Sequence, residues 1–142
     1  MWADTILHAE RQHLLQLLLW AGLSIVAATA VAAMLMARRV RSPLLVHFAV
    51  QMAAWGTLVG GTAAVRLSAA ALRDVSGAAR LERMVWMNVG LDAGYVAAGM
   101  MLALSAWVLA RKMAAVGAGV AIMVQGLALL VLNLQFAAVV SK

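Results

Sequence analysis

The sequence predicts an all-α integral membrane protein, an up-down bundle of four helices, and three observations carry that prediction. Hydrophobic residues fill 66% of the 142 positions and charged ones only 11%, with a mean hydropathy of +0.98, so a water-soluble core would lack a polar shell. Four apolar runs approach or exceed the ~20 residues that cross ~30 Å of hydrocarbon. Basic residues gather at the ends of those runs, where phospholipid headgroups are their nearest partners.

Residues 1–142 form one transmembrane domain in this reading, with spans at about 14–36, 44–64, 86–107 and 114–140. The first run follows WADTILHAERQH, a more polar stretch that continues the same helix towards the headgroups. Its segment Ala27 to Met34 offers small-residue cleavage sites, but the run is longer than the apolar core of a signal peptide. Arg38, Arg39 and Arg41 close it, so it reads as an uncleaved anchor.

Ser42-Pro43 opens the second helix, with Ser as N-cap and Pro at the first helical position, where its missing N–H costs nothing. Nothing breaks the helical pattern before Ser76-Gly77, which predicts a projection beyond the membrane carrying Arg66 and Arg73. The third helix is predicted to start near Ala78 and to span from Trp86 to Trp107, about 31 Å at 1.5 Å per residue, with the two Trp as an aromatic belt. Arg111-Lys112 ends it, and the fourth span runs from about Ala114 to Val140.

The short connections at 38–43 and 111–113 make the spans antiparallel in pairs. The N-terminus, the 65–85 connection and the C-terminus then share one side. Arg38, Arg39, Arg41, Arg111 and Lys112 crowd the short turns without an acid, which favours that side as cytoplasmic in a multi-pass protein of the cell membrane.

Within the third span, Asn88, Asp92 and Tyr95 fall at i, i+4 and i+7, on one stripe. Depth along the helices brings Arg66, Asn133, Gln16 and His13 towards the same level. A carboxylate in hydrocarbon costs at least about 2.5–3.5 kcal/mol on insertion scales, so Asp92 must be protonated, paired or hydrated inside the bundle. Two roles stay open for the cluster: a hydrogen-bond network that joins helices, or a binding or proton-relay site. Gly90 and Gly94 lie on roughly the opposite stripe, and Gly56 and Gly60 reach a similar depth on the second helix. Small residues four apart allow close approach in lipid, which predicts helix two packed on the glycine face of helix three.

The stretch NVGLDAGYVAAG, Asn88 to Gly99, resembles a group of uncharacterised small bacterial four-helix membrane proteins with an Asn-x-Gly-Leu-Asp-x-x-Tyr pattern. Asn88, Gly90, Leu91, Asp92 and Tyr95 carry the resemblance over about a dozen residues. It implies a bacterial inner-membrane location and no known activity, and it singles out this segment.

Enzyme chemistry finds no footing in the sequence. There is no phosphate loop, nucleophile elbow or HExxH, no pair of carboxylates on one helix face, and no Cys. His8 and His13 sit at one end and His47 at the other, so no haem takes axial bonds from both. The expectation is no metal, no cofactor and no nucleic-acid partner. Membrane lipid is the expected surround, with a second copy or other membrane subunits as partners. Two functions are expected: a non-enzymatic structural or accessory subunit of a membrane assembly or, alternatively, a binding or transport protein for a proton, cation or small polar ligand.

Overall fold

The computed structural model describes residues 2–141. Its elements are α1 (Trp2–Ala37), α2 (Pro43–Ser68), α3 (Val75–Ser105), continued by one π-helical turn (Ala106–Ala110), and α4 (Met113–Val140). All four helices are long and apolar enough to cross a membrane. The result is an all-α four-helix bundle, with α1 antiparallel to α2 and α3 to α4 across the two short turns.

Local chemistry sets most of the boundaries. Ser42 is the N-cap of α2, accepting from the Leu45 N–H at 3.4 Å, and Pro43 follows it. α2 stops at Ser68, short of the predicted break at Ser76-Gly77, and α3 starts at Val75, before the predicted Ala78. Asp74 supplies the reason, since its carboxylate accepts from the Gly77 N–H at 2.7 Å and the Ser76 hydroxyl at 2.9 Å, making it the N-cap of α3. The Gly77 N–H, and after it the Ser76 hydroxyl, hold this exposed carboxyl below its ordinary range. Gly77 therefore lies inside the first turn of a helix and not in a break between two.

Each short turn bends at an arginine in the left-handed region, Arg39 at φ 51° and Arg111 at φ 47°. An L-residue there carries a cost of about 1–2 kcal/mol that glycine avoids.

In the bundle, α3 packs chiefly on α4, α1 on α2, and α4 also meets α1 and α2. α4 keeps the largest share of its apolar window inside the bundle and α3 the smallest. Three apolar clusters stack along the axis. Ile6, Leu81, Val85 and Phe136 lie at the 65–85 end, Leu14, Leu17, Val59 and Leu129 in the middle, and Ala28, Ala49, Met52 and Ala121 near the short turns.

The glycine contacts differ from the predicted ones. Gly56 and Gly60 face α1, where a Cβ would stand 3.0 Å from the Ala21 carbonyl oxygen and 3.2 Å from the Ala21 Cβ respectively. Gly90 and Gly94 have nothing within 4 Å of such a Cβ. Helix two does not use the glycine face of helix three, because the neighbour that α3 crosses closely is α4. That crossing relies on Gly99, where a Cβ would meet the Met123 backbone nitrogen at 2.6 Å and the Gly119 carbonyl oxygen at 2.7 Å. On the α4 side, a Cβ at Gly126 would meet the Val96 backbone nitrogen at 2.9 Å.

Overfilling such a crossing must push the two backbones away from each other, whereas an outward glycine has room. Gly126→Leu is therefore expected to destabilise the protein by about 1–3 kcal/mol or more. Gly94→Leu is expected to stay within about 0.5 kcal/mol. Thermal unfolding of both variants in mild detergent checks the order.

Candidate functional site

Polar side chains form a thread inside the half of the bundle nearer the 65–85 end. Its outermost link joins α1 to the loop before α3. Glu10, only 1% exposed, accepts from Arg73 Nε at 2.9 Å and from a terminal guanidinium nitrogen of Arg73 at 2.7 Å, while Arg66 of α2 lies 3.9 Å away. The paired geometry matches the fork of a guanidinium to the two oxygens of a carboxylate, which makes such bonds strong. The Glu10 carboxylate holds the Arg73 guanidinium above its ordinary value.

One turn deeper, His13 is buried and stacks on Phe136 of α4, with ring centroids 4.4 Å apart and planes 6° from parallel. Its Nδ1 is buried without a hydrogen-bond partner. The ring lies within interaction range of Asn133, Arg66 and Glu10. Asn133 donates from Nδ2 to Asp92 Oδ2 at 2.6 Å, and both residues are buried. Asp92 thus finds a donor on α4 and is turned away from the outer surface.

Further in, Gln125 of α4 ties three helices together. Its Oε1 accepts from the Trp20 indole N–H at 2.7 Å, and its Nε2 donates to Ser24 Oγ at 3.0 Å and to the Met52 sulfur at 3.4 Å. Beyond this point the interior is Ala28, Ala49, Met52 and Ala121, so the thread has no polar continuation towards the short turns among the described residues.

The residues singled out from sequence divide accordingly. Asn133 bonds Asp92 and lies within interaction range of His13. Arg66 reaches the neighbourhood but approaches Glu10 rather than Asp92. Tyr95 is half-buried and meets Trp55 edge-on at 5.0 Å, without a bond to the carboxylate. Asn88 is half-buried and makes no side-chain hydrogen bond among the described residues. Gln16 faces outwards, beside Leu19, Leu23 and Val131, because it lies off the stripe of α1 that turns inward.

Sequence reasoning misses Glu10 and Arg73 as members of the thread. It also misses the buried Trp55 indole nitrogen, which has no partner. A usable signal exists for Glu10: with Leu14, Leu17, Ala21, Ser24 and Ala28 it keeps alternating steps of four and three, the spacing of a helix seam. Among the described residues, no three His, Asp or Glu side chains converge in a way that could hold a metal ion.

Removing the donor on α4 should strand a buried carboxyl. Asn133→Leu is expected to destabilise the protein by about 1–3 kcal/mol, while Asp92→Leu combined with Asn133→Leu regains most of that loss. A double-mutant cycle read by thermal unfolding measures the coupling.

The family of unknown function (DUF6992) matches over residues 16–134. No curated protein and no solved structure matches the chain.

Proposed function

The chain belongs to the DUF6992 family, whose function is unknown, and from its own geometry we propose a small non-enzymatic membrane protein, a structural or accessory subunit of a membrane assembly. Its setting in this reading is the bacterial inner membrane, as a multi-pass protein, with the resemblance at Asn88 to Gly99 in support.

One observation carries the reading. The helix crossings inside the bundle rest on Gly56, Gly60, Gly99, Gly117, Gly119 and Gly126, and of the glycines with open space above them, Gly22, Gly61, Gly90 and Gly94, the last two form a pair one turn apart on one helix. They stand on α3, which keeps the smallest share of its apolar window inside the bundle, and Leu91 and Met87 beside them are exposed. Hydrocarbon exerts no hydrophobic force between helices, so close packing across small residues is a principal way for one to bind another. A glycine pair one turn apart, unused within the chain, suits a further transmembrane helix from a second copy or another subunit. The buried polar groups support the same reading, since Glu10, Asp92 and Gln125 are each engaged by a neighbouring element and serve to join the bundle.

Because the chain has no Cys, single thiols can be placed at will. Gly94→Cys, labelled with a benzophenone maleimide and irradiated in native membranes, is expected to give one discrete adduct of higher mass. Leu19→Cys, on the exposed face of α1, is expected to give none. Equal products from both positions, or none from Gly94→Cys, would overturn the reading.

A second reading, a binding or transport protein for a proton, cation or small polar ligand, is favoured by the unpartnered Nδ1 of His13, whose ring lies near Asn133, the donor to Asp92. The apolar seal towards the short turns supports binding from one side over conduction. Isothermal titration of the purified protein with monovalent and divalent cations tests it, with Asp92→Asn expected to weaken binding while circular dichroism shows the helix content kept. Identical binding by the two proteins rejects it.

A further inference from the structure

The opposite end of the bundle holds a different feature. Between α1 and α2, next to the turn that joins them, a groove of about 920 Å³ opens to the outside. Its walls are apolar, with Ala28, Ala32 and the larger Leu35 on α1 and Ala49, Ala53 and the larger Val46 on α2. It extends from the end of α1 at Ala37 down to Ala28, about 14 Å along the helix axis at 1.5 Å per residue. That is close to half of a ~30 Å hydrocarbon core, the depth of one leaflet.

The mouth is basic. Arg39 and Arg41 line it together with Ser42 and His47. His47 donates from Nδ1 to the Pro43 carbonyl at 2.9 Å, which leaves Nε2 as the free ring nitrogen. No acid offsets these charges nearby: Asp4, Glu10, Asp74 and Glu82 lie at the other end of the bundle, and Asp92 is bonded within the polar thread. Arg39 also occupies a left-handed backbone position, φ 51°, where glycine would be unstrained. The turn tolerates that strain while keeping a guanidinium at the rim.

An apolar slot one leaflet deep beneath an unneutralised basic rim matches one class of occupant in both shape and charge. We propose that the groove holds one anionic phospholipid, with its phosphate between Arg39, Arg41 and His47 and an acyl chain along the apolar walls. The two halves of the site act together. The guanidinium groups hold the headgroup at the depth where the turn meets the membrane surface, and the slot takes the chain out of the surrounding lipid.

Native mass spectrometry of the full chain in neutral detergent tests this with three probes: phosphatidylglycerol, phosphatidylcholine with the same acyl chains, and glycerol phosphate. One phosphatidylglycerol is expected to remain bound per chain, with phosphatidylcholine held at least tenfold more weakly. Arg39→Ala with Arg41→Ala should lower phosphatidylglycerol affinity roughly tenfold or more. Ala32→Phe, at an exposed position, should weaken it comparably by filling the slot while leaving every charge in place. Circular dichroism confirms that both variants keep their helix content. Equal retention of the two lipids would overturn the proposal, as would glycerol phosphate binding as tightly as the lipid, or unchanged binding by Ala32→Phe.

Discussion

The close approach of α3 to α4 at Gly99, Gly119 and Gly126 is the constraint on which the rest of the interior depends. Lipid tails are as apolar as leucine, so nothing squeezes two such helices together; they stay in contact through packing at short range and through polar bonds. Missing side chains at these glycines let the backbones come near enough for Asp92 to reach Asn133. Side chains on a helix lean towards its N-terminus, which carries the Asp92 carboxyl from its own level on α3 towards the 65–85 end. On α4 the same geometry sends Gln125 to Trp20, Ser24 and Met52. α4 is thus the axle of the bundle: the deeper polar bonds between helices run through it.

Much of this architecture is legible in the sequence because length and hydropathy need no knowledge of contacts. The four long apolar helices, the Ser42-Pro43 start of α2 and the shared level of Asp92 and Asn133 all follow from distances along the chain. Facing directions are not legible, and the cause is physical. A helix in lipid is apolar on its outside as well as its inside, so the contrast that orients a helix in water is absent. Spacing alone therefore turns Gly56 and Gly60 towards α3 when their neighbour is α1, and turns Gly90 and Gly94 inward when they look outward. Gln16 misleads in the same way. Glu10 escapes notice because an acid near the start of a span reads as a headgroup residue, and only its place on the seam with Leu14 and Ala21 marks it as interior. The early end of α2 is hidden because Gly77 resembles a break until Asp74 is seen to cap it.

The two ends of the molecule are chemically unlike. At one, acids, bases and amides are drawn into the bundle and matched to one another. At the other, positive charge stays on the rim above an apolar-walled groove, with an apolar interior behind it. The middle, between Gln125 and Met52, is where the first regime gives way to the second. Such division gives the protein a direction, so that the compartments on its two sides would meet different surfaces.

The ion pair between Glu10 and Arg73 joins positions 63 residues apart, and this separation bears on how the chain is made. Arg73 stands between the two hairpins, five residues past the end of α2 and two before the start of α3. Glu10 near the start of α1 therefore waits for a partner that is made only after both helices of the first hairpin. Once formed, the pair ties the beginning of the chain to the segment that links the two halves of the bundle.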